Sequence, residues 1–249
     1  LLKTLEEPAE FIHLVLLSSE PAALLETVIS RCREVEFSPL SAAAVEEALA
    51  ERSDADELER RAATRLCGGD VDTGEYLLSE PGRRLRRAAG ESIRAAREGG
   101  AESAPWRELL TSAEEAGAGE AERVEEAVLA EAEESGEPKA KTRARKAATE
   151  AAKRAGRRAR TEILDLGLAL CTMWARDLAA TTEGSGELAY NADRAAELER
   201  LAAGLDPVAA RQAGERIMDT RARLRVNVSE ELALESLFFG LEELLGPPA

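Results

Sequence analysis

The chain has 249 residues and a mass of 26.7 kDa, more than one small module needs and enough for two or three compact units. Against 33 Lys and Arg stand 49 Asp and Glu, a formal charge of −16, which argues against a protein that grips nucleic acid over its whole surface. Aromatics are 3% of the chain while Ala, Glu, Leu and Arg dominate, a composition for helices and not for a β-barrel.

Leu1, Leu2 and Leu5 share one helical face that Glu6-Glu7-Pro8 stops, because proline cannot continue a helix. The chain starts at Leu1, without Met and inside this apolar pattern, so it reads as the C-terminal part of something longer. Phe11 to Leu17 is apolar except for His13, a length suited to a strand buried on both faces of a parallel sheet. Ser18-Ser19-Glu20-Pro21 ends it. Leu24, Leu25, Val28 and Ile29 then repeat at helical spacing up to Ser30-Arg31-Cys32, and Val35-Glu36-Phe37 reads as a second, short strand. Helix and strand in alternation predict the last units of an α/β domain over residues 1–39.

After Pro39 the pattern is all helix. Ser41 is placed to cap a helix carrying Val45 and Leu49. A second helix carries Leu58 and Leu66 and closes at Gly68-Gly69. A third short element holds Val71, Tyr76, Leu77 and Leu78 and is expected to end at Pro81-Gly82. A helix from about Arg83 to Arg97 leads to Gly99-Gly100, the expected boundary between a helical domain at 40–98 and a second one at 99–249.

Residues 113–137 hold ten acids and one base, and residues 139–160 hold ten bases and one acid, Glu150. These blocks read as two solvated helices paired by opposite charge, or as a partly disordered, alanine-rich insertion. Neither has enough large apolar residues for a core. The basic block would attract phosphate, but the acidic block is placed to neutralise it, and no aromatic is interleaved for base stacking. From Ile163 the stripe Ile163, Leu164, Leu168, Cys171, Trp174, Leu178 restores a core signal. Helices follow near Asp193–Ala203 and Pro207–Leu224. Asn227-Val228-Ser229-Glu230 resembles a capping box ahead of a last helix with Leu234, Leu237, Phe238, Leu241 and Leu245.

The residue inventory excludes several chemistries. His13 is the one histidine, so any histidine-based triad would depend on it, and its apolar setting predicts a core residue. Cys32, Cys67 and Cys171 have neither zinc nor disulfide spacing and are expected to be reduced and mostly buried. No run of 18 apolar residues exists to span a membrane. No signal peptide is visible, which makes the cytoplasm the default setting.

One ordered series is more specific. Leu1-Leu2-Lys3-Thr4-Leu5-Glu6-Glu7-Pro8, the apolar segment ending in Ser18-Ser19-Glu20-Pro21, and Thr27-Val28-Ile29-Ser30-Arg31-Cys32 together resemble the AAA+ module of bacterial DNA polymerase III clamp-loader subunits. The likeness is close from Leu1 to about Leu40 and weaker through the following helices. It returns at Trp174-Ala175-Arg176-Asp177-Leu178, Asn191-Ala192-Asp193 and Asn227–Glu235, which look like the family's helical collar. Residues 113–160 have no clear counterpart.

The resemblance implies a mostly α chain: a C-terminal remnant of an AAA+ α/β domain at 1–39, a three-helix lid at 40–98 and an all-α collar at 99–249. It makes Arg31 an arginine finger, acting in trans on ATP and Mg²⁺ held by the neighbouring subunit. Ser18 falls at the sensor position, and Trp174, Asn227 and Glu235 fall among the collar's oligomerisation positions. Trp174 is also a core anchor by helical spacing alone. No phosphate loop G-x-x-x-x-G-K-[ST] occurs in the chain. Where the family's hydrolysing subunits carry a lid arginine after a glycine, Gly69-Asp70-Val71-Asp72 puts Asp72.

That departure favours the delta-prime type, a stator without a complete catalytic site and with no bound cofactor of its own. Its implied partners are the tau/gamma and delta subunits, the sliding clamp and, through the assembled complex, primed DNA. The alternatives are the tau/gamma-type ATPase motor of the same loader, another AAA+ class such as a Holliday-junction motor, and a helical adaptor with no nucleotide role.

Overall fold

The computed structural model describes residues 5, 11–18, 21–134, 138–224 and 229–247. The chain divides into two compact units, Leu1–Pro39 and Leu40–Ala249.

In the first unit a 3-10 turn at Pro21–Ala23 precedes one helical turn, α1 (Glu26–Ile29). The strands expected at 11–17 and 35–37 are not formed among the described residues. A parallel strand exists only where neighbours exchange main-chain hydrogen bonds with it, and no described segment supplies them. The apolar run is nevertheless extended in character. Phe11, Val15 and Leu17 are 84, 82 and 92% exposed, whereas Ile12, Leu14 and Leu16 are 37, 43 and 41% exposed, the period-two alternation of an extended chain. His13, expected in a core, is exposed. The initial leucine helix lies outside the described residues apart from Leu5, which is helical.

The second unit is built from α2 (Ala42–Arg52), α3 (Glu57–Leu66), α4 (Val71–Leu78), α5 (Glu80–Glu98), α6 (Arg107–Glu134), α7 (Pro138–Thr182), α8 (Ala195–Ala202), α9 (Pro207–Leu224) and α10 (Glu230–Leu245). Local chemistry explains where the first four of these begin. Ser41, Asp56 and Asp70 are N-caps whose side chains accept from the backbone N–H of Ala44 (3.3 Å), Glu59 (2.9 Å) and Asp72 (3.2 Å). Ser79 both ends α4 and starts α5: its Oγ donates to the Tyr76 carbonyl (2.6 Å) and accepts from the Gly82 N–H (3.3 Å). Pro81 and Gly82, expected to be a stop, lie in the first turn of α5, where proline's missing N–H is no loss. Gly68, Gly69 and Gly99 hold φ of +62°, +92° and +80°, the left-handed region that closes α3 and α5. The last helix begins differently. Ser229 precedes α10 without a side-chain cap bond, and Asn227 of the expected capping box lies outside the described residues.

The long helix α7 is the axis of this unit, with α6, α9 and α5 packed along it and α10 closing over α5 and α9. One continuous core runs from Val45 to Leu245, with Leu85, Ile93, Leu168, Leu178 and Ile217 fully buried. Trp106 stacks on Phe238 at a ring separation of 6.5 Å inside it.

The charged blocks form the distal part of the α6–α7 hairpin, so the helical alternative holds over the described residues. What joins the helices is mainly small side chains. Ala113 and Gly117 on α6, and Ala148, Ala152 and Gly156 on α7, are buried at four-residue spacing. A Cβ on Gly117 would lie 2.8 Å from the Gly156 carbonyl oxygen, and one on Gly156 would lie 2.7 Å from that of Gly117. The backbones therefore nearly touch, which brings many weak dispersion contacts into range. Among the described residues, the expected pairing by opposite charge is a minor part of the seam. Arg160 reaches Glu114 at 3.8 Å and Thr149 Oγ1 donates to Glu125 at 3.3 Å, whereas Arg123–Glu120, Lys153–Glu150 and Arg158–Glu162 pair within one helix.

Cys67 and Cys171 are buried as expected, but Cys32 is exposed. Burial pushes the Cys171 thiol up to about 12, so its reactive thiolate is scarce at pH 8. A thiol reagent at pH 8 should add one label to the native chain, at Cys32, and three after unfolding, as counted by intact mass. Native labelling of Cys171 would contradict its burial.

Candidate interface site at Arg31

Arg31 sits just past the single turn α1. Leu25 enters that turn in an extended conformation, and the N–H groups of Ser30, Arg31 and Cys32 bond back to the carbonyls of Glu26 (2.9 Å), Val28 (3.1 Å) and Ile29 (3.1 Å). These local bonds hold the Ser-Arg-Cys stretch at a helix C-terminus, where the dipole favours a cation. The Arg31 side chain is exposed. Its Nη1 donates to the Thr27 carbonyl oxygen (2.9 Å) and lies 3.4 Å from Ser30 Oγ. Ser30 Oγ itself reaches the Thr27 oxygen at 3.5 Å. The guanidinium thus rests against its own turn, through a hydrogen bond open to solvent. Ser18 is exposed at the end of the extended apolar run.

The other positions singled out in the sequence belong to the second unit. Trp174 is 3% exposed and is a core residue of this unit: its ring covers Gly90 of α5, where a Cβ would lie 2.8 Å from the indole. Glu235 is exposed on α10, and Asn227 lies outside the described residues. Asp72, at the lid position, is in the first turn of α4, with its carboxylate 3.9 Å from Arg52. An acid there suits the helix N-terminus and would repel a triphosphate.

The collar-like motifs contain an arrangement that the sequence reading did not foresee. Asp177 is fully buried on α7. Its carboxylate accepts from the backbone N–H of Tyr190 and of Asn191 and from Asn191 Nδ2, each at 2.8 Å. Burial pushes its pKa up while those three donors pull it down. Arg176 lies over the Tyr190 ring at 4.3 Å, and Asp193 accepts from Arg86 Nη2 at 2.8 and 2.9 Å. Trp-Ala-Arg-Asp and Asn-Ala-Asp are therefore the two halves of one clip. In the sequence, Asp177 stands beside the apolar stripe that holds Trp174 and Leu178, and nothing local links it to Asn191. Among the described residues, no group of His, Cys, Asp and Glu is arranged to hold a metal ion, and no helix is long and apolar enough to cross a membrane.

Residues 1–41 match the protein-family model described as DNA polymerase III, delta subunit. This stretch contains both Ser18 and Arg31. Over 52 residues the chain is 46% identical to the DNA polymerase III subunit delta' of Bacillus subtilis (strain 168). That alignment takes in 21% of this chain and 16% of the relative's length. The likeness to clamp-loader subunits of delta-prime type thus holds over a short N-terminal stretch.

Proposed function

We propose that this chain is a delta-prime-type subunit of a DNA polymerase III clamp loader and presents Arg31 to ATP bound by the next subunit. The observation that carries this reading is the coincidence of the matched stretch, residues 1–41, with an exposed guanidinium at the C-terminus of α1. A guanidinium is always charged and offers a planar fork of donors, which suits γ-phosphate oxygens during hydrolysis. The Arg31 hydrogen bond to Thr27 is to a neutral carbonyl oxygen, a weaker acceptor for a guanidinium than a charged phosphate oxygen. Asp72 at the lid position supports a role as a stator over one as a motor. The helices of residues 99–249 would supply the collar that joins the subunits, with Glu235 available on its surface.

The test is Arg31→Ala in a reconstituted loader whose other ATP sites are silenced. Arginine fingers are worth roughly 10³–10⁵ in rate, so DNA-stimulated turnover at the facing site should fall at least tenfold while assembly is kept. Arg31→Lys should not restore it, because a point charge lacks the fork. Unchanged turnover and clamp loading would remove the finger from this reading.

A further inference from the structure

On α5, Arg83, Arg86, Arg87 and Arg94 recur at three-, four- and seven-residue intervals along one side of the helix. Beside them a cavity of about 150 Å³ opens between α3, α5, α7 and the turn at 191–194. Gly90 stands in the middle of the arginine row with the Trp174 ring packed against it, and both line the same space. The cavity could hold several waters, for which the minimum is about 10–15 Å³ each, or one compact polyatomic ion.

Two arginines there are committed to close pairs. Arg83 grips Glu59 at 2.6 and 2.9 Å. Arg86 uses Nη2 for both oxygens of Asp193. Three others are held loosely. Arg87 is 3.4 Å from Glu80, Arg94 is 3.6 Å from Glu197 and 3.9 Å from Glu91, and Arg194 is 3.9 Å from Glu197 and 4.0 Å from Asp193. Around the cavity five guanidinium groups face the four carboxylates of Glu59, Glu91, Asp193 and Glu197, an excess of one positive charge in a chain of net charge −16.

The unmet need there is for an acceptor. Arg86 is nine-tenths buried, and its Nε has no hydrogen-bond partner among the described residues. No carboxylate or amide oxygen of the wall is buried and unsatisfied in the same way. The Arg86 Nε is closed to a molecule the size of water, so the donors open to an occupant of the cavity are those of the loosely paired Arg87, Arg94 and Arg194. A tetrahedral oxyanion can accept from donors converging from several sides at once, with charge assistance from each.

We propose that this cavity binds a small phosphate-type oxyanion through the loosely paired Arg87, Arg94 and Arg194. All of the residues lining the cavity belong to the second unit.

The experiment titrates the full chain with inorganic phosphate and with pyrophosphate, against sodium chloride at matched ionic strength. Thermal unfolding and tryptophan fluorescence are read together, since Trp174 lines the cavity. A saturable rise in melting temperature with either phosphate species, and not with chloride, is expected. Arg87→Gln and Arg94→Gln, both at half-exposed side chains and so compatible with folding, should each weaken binding about tenfold, the loss of one charge-assisted contact. Glu197→Gln should tighten it by removing a competing carboxylate. Arg31→Ala should bind as the parent does. Identical curves in chloride, or binding indifferent to both glutamine variants, would leave water as the only occupant and overturn the proposal.

Discussion

Gly82→Ala should destabilise the second unit by about 3 kcal/mol or more, at the upper end of what overpacking costs. An added Cβ would lie 1.8 Å from the Tyr76 carbonyl oxygen, 2.6 Å from its carbonyl carbon and 2.7 Å from Leu77 Cα. All three are main-chain atoms, so no side chain can rotate away. Relief requires opening the turn between α4 and α5, and that turn is held by Ser79 from both sides. The damage would extend beyond one contact. Leu77, Leu78 and Leu85 flank the turn and are buried in the shared core, so moving α4 exposes them. At about 25 cal/mol per Å² of apolar surface, even a modest opening adds more than 1 kcal/mol. Chemical denaturation measures it. A loss below about 1 kcal/mol would mean that the turn is looser than described. Ala at Gly119, where a Cβ would meet nothing within 4 Å, is the control. It should be neutral or stabilising, because alanine is the better helix former.

Much of the helical unit was legible because its signals are local. Pro207 at a first turn and an apolar stripe ending at Leu224 give α9 its observed bounds. Ser41 announces α2, and Gly99 closes α5. The reading failed where structure depends on something outside the window. Pro81-Gly82 has the composition of a stop, and only the proximity of Tyr76 makes it a start. Phe11 to Leu17 has the composition of a strand, but a strand also needs neighbours. The charged blocks at 113–160 are legible as helices, but the seam between them is not, because it holds none of the large side chains that mark a core. Alanine and glycine at four-residue spacing make a seam of another kind, by letting two backbones meet. In the candidate site, Arg31 was legible only through the ordered series around it, since an arginine at a helix C-terminus is unremarkable by itself. The cavity beside α5 was not legible. Arg86 and Asp193 are 107 residues apart, and nothing local links them.

Asp177→Ala should cost about 3–5 kcal/mol, the penalty for removing one partner from a buried, charged network. Three donors would lose their only described acceptor together: the N–H groups of Tyr190 and Asn191 and the Asn191 amide. Each buried donor left unpaired costs about 1–3 kcal/mol, although the loop can relax toward water and recover part of that. Asp177→Asn should fare little better. It keeps the shape, but one carboxylate oxygen becomes an NH₂ facing N–H groups. The wild-type group also gives the result a pH signature. Its folded pKa is raised, with burial outweighing the three donors. Its own contribution is therefore fully present below the unfolded value of about 3.9 and declines as pH rises through the folded value. Wild-type stability minus that of Asp177→Asn should thus shrink on going from about pH 3 toward neutrality, because the variant does not titrate there. Urea unfolding at a series of pH values measures this. A difference that grows with pH would show that the donors win over burial and that the folded pKa is depressed instead. The same loop carries Asp193 and Arg194, so Asp177→Ala should also loosen Arg86 and weaken phosphate binding in the cavity. Loss of stability with phosphate binding intact would separate the clip from the cavity wall.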